Sequence, residues 1–424
     1  MAHKINKYVI GAIFSGVIST HAATLNLGGN FRFGSNLYSN LDLSAAPNSL
    51  GANTSTYLEY RGTIRPEIVV DDRFVIKSSF IFFGSDLKNN SQDVPKNFGT
   101  VLGADSANTS SLDLRRAYLE WSSDWGIFRF GRQPKDWGLG ILYDSGKDVL
   151  DDFSTTVDRV GFQALLGNLG VNFGYEKGSE GALNADADDI DTYEIAMDYS
   201  NAESNLDVGI MYVRNVRSSG ANSGLNSSHD LSIFSQKKIN SLQLGAEFAV
   251  INQDVLGSST GLLAQIDYQK AAMKVGADFA WATGSSINNF SFHPNYQPLL
   301  ILFRQSLGTS PSANSTRGSN SGAAFGSQVA NGDGRGAVLL KGNFNYGFDQ
   351  GKLDLGVNLG WAKLVHQGSN PGNSLGTEID LSLVQKWYEN FKMTYALGLL
   401  IPGDAYGPSQ QTAWGAQVRG ALTF

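Results

Sequence analysis

Leu353-Asp354-Leu355-Gly356-Val357-Asn358-Leu359-Gly360-Trp361 sets an apolar residue at every second position. Successive side chains of a strand point to opposite faces. The stretch therefore predicts a strand with Leu353, Leu355, Val357, Leu359 and Trp361 on one side and Asp354 and Asn358 on the other. The period returns along the chain. Leu25, Leu27, Phe31 and Phe33 oppose Asn26, Asn30 and Arg32. Leu58, Tyr60 and Ile64 oppose Glu59, Arg61 and Arg65. Leu242, Leu244, Phe248 and Val250 oppose Gln243 and Glu247, and Met273, Val275, Phe279 and Trp281 oppose Lys274 and Asp278. Trp414, Ala416, Val418, Leu422 and Phe424 oppose Gln417, Arg419 and Thr423. About eighteen such segments can be marked, with sixteen as the alternative count, each near the ten residues that a tilted strand needs to cross a bilayer. No segment has helical periodicity of useful length.

The connections alternate short and long. Short ones fall at Asp71-Asp72, Ser122 to Trp125, Gly167-Asn168, Asn201 to Ser204, Lys237 to Asn240, Asp349 to Gly351 and Tyr388 to Asn390. Long ones fall near 34–55, 84–110, 134–156, 178–189, 216–229 and 284–335. An up-and-down barrel with periplasmic turns and outer loops produces this order, and a soluble Greek-key sandwich does not. Hydrocarbon offers no hydrogen bonds, so the sheet must close and turn its apolar face to lipid. The expected fold is all-β, a transmembrane antiparallel up-and-down barrel. Tyr60, Tyr175, Tyr199, Tyr212, Trp281, Trp361 and Trp414 would form interfacial girdles. At this strand number the lumen is an aqueous channel that loops must narrow.

The start of the chain fits export. Lys4 and Lys7 precede an uncharged apolar stretch, Tyr8 to Ile18, and Thr20-His21-Ala22 offers a small residue for cleavage. Residues 1–22 read as a signal peptide and 23–424 as one barrel domain. Its removal takes the formal charge from −7 to −9. The acidic balance argues against a nucleic-acid partner. The absence of cysteine excludes a disulfide scaffold and a thiolate metal site.

The inward charges are uneven. Arg32, Arg61, Arg65, Arg73, Lys77, Arg115, Arg129 and Arg159 fall on the first six segments, and Arg419 joins them where the last strand closes on the first. Glu59, Glu67 and Glu120 interrupt this basic wall. At Arg115-Arg116 the alternation slips, which predicts a bulge. Inward acids become commoner later: Glu176, Glu194, Asp198, Glu247, Asp267, Asp278, Asp354, Glu378 and Asp380. The segment from Pro134 to Asp152 is rich in glycine, aromatics and acids. It is expected to fold into the lumen and set Asp144, Asp148, Asp151 and Asp152 opposite the arginines, giving a transverse field across a narrow aqueous gap.

The 284–335 loop divides into an aromatic, apolar part, Phe290 to Leu300, and a Ser/Asn/Gly-rich remainder. The first part either enters the barrel or lies against lipopolysaccharide. His229, His293 and His366 lack matched partners for acid–base or nucleophilic chemistry, so no enzyme is expected. No cofactor or metal is expected either; Asp186, Asp188, Asp189 and Asp191 read as a solvated acidic loop before a calcium site.

Phe130-Gly131-Arg132-Gln133 followed by Trp137-Gly138-Leu139-Gly140 resembles a strand-to-loop motif of outer-membrane porins, the alginate-export family among them. Phe292 to Tyr296 is similar to an aromatic loop segment of that family, and Gly376 to Leu381 with Pro402 to Tyr406 resembles its C-terminal region. These motifs cover about a tenth of the chain. The resemblance implies an eighteen-stranded barrel that passes anionic polysaccharide outward through a strongly basic lumen. The lumen expected here mixes basic and acidic walls, so the fold is carried over and the substrate is not.

The reading is an outer-membrane porin for passive diffusion of small hydrophilic solutes. Its alternatives are a dedicated channel for a sugar, carboxylate or anionic polysaccharide, and a surface adhesion barrel. Its expected partners are outer-membrane lipid and lipopolysaccharide, the transported solutes, and the barrel-assembly machinery through the terminal aromatic Phe424. A monomer and a homotrimer are both open.

Overall fold

The computed structural model describes residues 23–41, 43, 54–82, 96–97, 112–179, 190–217, 227–285, 288–305, 307, 325–326, 335–407 and 410–424. The expected signal peptide at 1–22 lies outside them.

Among these residues the chain forms β1 (Thr24–Ser39), β2 (Thr54–Val69), β3 (Phe74–Phe82), β4 (Lys96–Asn97), β5 (Leu112–Ser123), β6 (Gly126–Pro134), β7 (Thr156–Leu166), β8 (Leu169–Ser179), β9 (Ile190–Asn201) and β10 (Leu206–Arg217). There follow β11 (Ser228–Ile239), β12 (Leu242–Gln253), β13 (Gly257–Lys270), β14 (Met273–Ala282), β15 (Arg335–Phe348), β16 (Leu353–His366), β17 (Ser374–Tyr388), β18 (Phe391–Pro402) and β19 (Ala413–Thr423). Each pairs antiparallel with its neighbours in one sheet, and β1 pairs with both β2 and β19, which closes the sheet. The two-residue β4 only extends the edge of β2 beyond the short β3. The wall is thus the expected eighteen-stranded barrel.

At one end the connections are tight. Asp124-Trp125, Gly167-Asn168, Asn240-Ser241 and Ala271-Ala272 are two residues each. Asn240 (φ 52°) and Gly167 (φ 63°) take the left-handed backbone that such turns require. The other end carries the long connections, although β13 and β14 of the tight end contrast there with a three-residue link, 254–256, between β12 and β13. β1 also continues to Ser39, so the first outer loop is shorter than the sequence suggests.

Burial is inverted relative to a soluble protein. Leu355, Leu359, Leu397 and Trp361 are exposed, whereas Arg32, Glu247 and Glu378 are buried. Exposed Leu, Ile, Val, Phe, Tyr and Trp occur on strands all round the barrel. A monomer in water does not expose so much contiguous apolar surface; a hydrocarbon solvent makes it favourable. Tyr175, Tyr193, Tyr212, Trp361 and Trp414 stand on this outer face toward the long-loop end, and Tyr199, Tyr268, Tyr346 and Trp387 toward the tight-turn end.

The bulge expected at Arg115-Arg116 is present. The β3–β5 register jumps from Ser79↔Arg116 to Phe80↔Leu114. The extra residue lets two consecutive arginines both reach the lumen, which regular alternation forbids.

Candidate constriction of the lumen

The segment 135–155 leaves β6 and turns inward. Its first anchor is Lys135, whose Nζ lies 2.9 Å from Glu176 on β8 and 2.9 Å from Glu194 on β9. Arg159 on β7 meets the same two carboxylates at 3.5 and 2.8 Å. The Tyr143 ring lies 4.0 Å from the ammonium. Burial alone lowers a lysine pKa, but Tyr143, Glu194 and Glu176 outweigh it and hold Lys135 above its ordinary value. Burial pushes the Tyr143 hydroxyl up.

The loop then touches the far wall. Trp137 Nε1 donates to Ser232 Oγ at 3.0 Å, and Ser232 donates to Glu247 Oε1 at 2.9 Å. Glu247 Oε2 accepts the backbone N–H of Leu139 at 2.6 Å and of Ile141 at 3.4 Å.

Its second half lies on the arginine wall. Arg32 and Arg61 both donate to the Asp151 carbonyl at 2.6 Å, and Arg419 to that of Leu150 at 3.1 Å. Arg115 donates to the Ser154 carbonyl at 3.0 Å, and Arg116 to that of Ser145. The Asp152 carboxylate is 2.9 Å from Arg32, 2.7 Å from Arg419 and 3.6 Å from Arg304. Arg419 also meets Glu59 at 3.1 Å.

The predicted site residues therefore separate into groups. Arg32, Arg61, Arg115 and Arg419 are brought together and buried against the loop. Of the loop acids, Asp152 alone meets this wall through its carboxylate, in contact rather than across water. Asp144 and Asp151 accept local backbone N–H groups, from Gly146 at 2.7 Å and Asp148 at 2.8 Å. Asp148 accepts from Leu150 at 2.8 Å and lies 3.4 Å from Lys392. Burial first, then the neighbouring carboxylates, push the Asp151 carboxyl up to about 6 against the Asp148 N–H. Arg65 stands apart beside Asn30, 3.0 Å away. Lys77 and Arg129 share Glu120 at 2.9 and 2.8 Å. With Arg159, Gln163, Asn172 and Asp198 they line a cavity of about 600 Å³ toward the tight-turn end.

The loop 284–335 also enters the barrel over its described part. Phe290, Phe292, Leu299 to Phe303 and Phe325 form an apolar cluster with Ala249, Ala280, Ala337, Ala362 and Ala413 of the wall. Gly261 and Gly360 make room: a Cβ there would come within 2.2 Å of Phe290 and 2.4 Å of Leu299. Glu378 accepts from Ile301 N and Leu302 N at 2.7 Å each, and Asp380 from Leu300 N at 3.1 Å. The two loops join where His293 N donates to the Ile141 carbonyl at 2.7 Å. Asn295 exchanges two bonds with the Phe153 backbone, at 2.8 and 2.9 Å. Burial holds the His293 imidazole down at about 4, with Asp144 opposing.

The sequence marks Glu247, Glu378 and Asp380 as inward acids but does not reveal that they hold loops; their partners are backbone groups distant along the chain. Ser232 and Arg304 carry no signal at all. Of the aspartates weighed for calcium, Asp186, Asp188 and Asp189 lie outside the described residues, and Asp191 is engaged by Lys177 at 3.2 Å and Tyr175 at 2.8 Å. The terminal Phe424 exchanges backbone bonds with Gly29 at 2.8 and 3.0 Å, its ring exposed.

No protein-family model matches the chain, and no curated protein matches it. Solved structures do. OccK9 (OpdG) of Pseudomonas aeruginosa is similar at a TM-score of 0.59 and 11% identity, over 94% of this chain and 98% of that one. OccK8 (OprE) of the same organism gives 0.56 and 12%, over 94% and 98%. OpdK of that organism, solved with vanillate, gives 0.55 and 10%, over 94% and 99%. At these identities the likeness is one of fold.

Proposed function

We propose that the protein is an outer-membrane porin that lets small hydrophilic solutes diffuse passively across that membrane. The observation that carries this reading is a closed barrel, apolar outside and charged inside, whose lumen is narrowed by two inward loops bonded to the wall and to each other. Such a barrel has the width for an aqueous path, and its inward loops give size selection. Arg65, Lys77, Arg129 and Arg159 line the path below the narrowing; Arg32, Arg61, Arg115 and Arg419, with Asp152, hold the narrowing in place. The working form is a monomer or a homotrimer, in contact with outer-membrane lipid and lipopolysaccharide. Residues 1–22 direct export, and the outward Phe424 is read by the barrel-assembly machinery. Swelling of liposomes that contain the purified protein, in sugars of increasing size, tests the reading. Swelling with a size limit supports it; none with correctly inserted protein removes it.

A second reading is a channel with preference for carboxylates. Arg65 and Arg116 stand on β2 and β5 among the inward arginines, and the similar OpdK has been solved with vanillate, itself a carboxylate. The resemblance to alginate-export channels extends this second reading to anionic polysaccharide. Current block by benzoate-type anions or by oligouronates, but not by neutral sugars, distinguishes these from a general porin.

A further inference from the structure

Glu247 stands on β12, across the lumen from the strands that carry the arginine wall. It touches neither the arginine wall nor the cavity below. Its two oxygens are both engaged by one short piece of chain: Oε2 by the N–H groups of Leu139 and Ile141, Oε1 by Ser232, which in turn takes the Trp137 indole N–H. Gly138 lies between these donors with φ 55°, and a Cβ there would come within 2.7 Å of Glu247 Oε2. A glycine in the left-handed region is what lets the backbone approach the carboxylate with its N–H groups forward.

The opposite half of the loop is held by the reverse chemistry. There the wall supplies guanidinium donors, and the loop supplies the carbonyls of Leu150, Asp151 and Ser154. Beyond its Lys135 anchor on β8 and β9, the loop is therefore tied across the lumen, by an acceptor on one side and donors on the other. Several arginines share the donor wall, whereas the 137–141 turn is held by Glu247, apart from the Lys135 anchor on Glu176 and Glu194. Cutting the acceptor tie frees the 137–141 turn without exposing the arginines.

We infer that Glu247 is a positioning residue that sets the width of the opening by fixing the 137–141 turn against β11 and β12. The inference rests on the porin reading for its meaning and on the hydrogen bonds for its test. Losing two charge-assisted bonds raises the population with the turn detached by about tenfold or more. Glu247→Ala is expected to raise the solute size limit in liposome swelling and to add current noise. Glu247→Gln keeps an oxygen for the two N–H groups and is expected to stay near wild type. Ser232→Val, which removes the hydroxyl alone, serves if Glu247→Ala does not fold, and is expected to give a smaller shift in the same direction. Amide exchange at Leu139 and Ile141 in detergent supplies a readout independent of transport, expected to quicken about tenfold in Glu247→Ala. A wild-type size limit together with wild-type exchange in a folded Glu247→Ala, or in Ser232→Val, overturns the inference. Quickened exchange in a barrel whose wild type passes no solute leaves the tie intact and removes the porin reading instead.

Discussion

Asn295 and Phe153 join the two inward loops by a reciprocal pair: the Asn295 amide donates to the Phe153 carbonyl at 2.8 Å and accepts the Phe153 N–H at 2.9 Å. The residues are distant in sequence, and neither lies on a strand. The pair makes the narrowing one body instead of two independent flaps. A side-chain amide is suited to this because it offers a donor and an acceptor side by side.

Asn295→Ala removes both bonds and leaves the Phe153 backbone groups without that partner. At roughly 1 kcal/mol net for each bond, the cost is about 2 kcal/mol, local to the loops. Single-channel traces are expected to show added flicker with little change in mean conductance. A quiet trace like wild type contradicts the coupling.

Asp152 is the carboxylate that Arg32, Arg419 and Arg304 face together. Asp152→Asn leaves buried guanidinium charge poorly compensated, and removal of one partner from such a group costs about 3–5 kcal/mol. The expected result is a barrel that loses its folded gel mobility in detergent at a lower temperature, with a shift of reversal potential toward anions. Unchanged heat resistance and selectivity contradict this role.

Protonation of the loop gives a pH signature. The Asp151 carboxyl is raised to about 6 in the folded loop against an ordinary 3.8. Its ionised form is therefore disfavoured by folding. Its unfavourable effect is absent below the unfolded value, develops as pH rises between about 4 and 6, and is complete above. His293 has the depressed value of a buried base, about 4. It is neutral in the folded loop across that upper range, and its unfolded form takes the proton first as pH falls through 6.5, which destabilises the fold on the acid side. Cation preference is expected to grow between pH 5 and 7, in measurements of reversal potential, and Asp151→Asn is expected to abolish that step. A step that persists in Asp151→Asn assigns it to another group.

Leu397 lies at the middle of β18 with 57% of its surface exposed, on the face assigned to lipid. Leu397→Arg is expected to cost about 2–4 kcal/mol in unfolding from a bilayer, the cost of arginine near the midplane. Asn358→Lys, on the inward face of β16, is expected to cost far less. Equal effects contradict the assignment of faces.

The wall of the barrel was legible because lipid and water impose one rule on every strand, and the pattern of Leu353 to Trp361 already contains it. The Arg115-Arg116 bulge was legible for the same reason: two adjacent arginines cannot both face inward on a regular strand. The turn at Ala271-Ala272 carries no Gly, Pro, Asn or Asp, so it was missed although Ala271 adopts φ 50°. The composition of Pro134 to Asp152 points inward, but nothing in it shows direct contact with the arginines. Composition gives the sign of two surfaces and not the water between them. The sequence leaves the apolar cluster around Phe290 and Phe292 open between lumen and surface. Its complement is the run of small inward residues at the outer ends of β12 to β19, which reads as weakened alternation until the sheet is closed. Glu247 and Glu378 look like any wet lumenal acid in sequence, since backbone N–H partners leave no mark on residue type.

Stepwise current through a planar bilayer, recorded from purified, folded protein, tests the central claim most directly. A water-filled, loop-narrowed barrel is expected to give discrete ohmic steps at low voltage whose size rises in proportion to salt concentration. A bilayer that stays silent at all voltages, with the protein shown to be inserted by protection of its strands from protease, contradicts a solute path through this lumen.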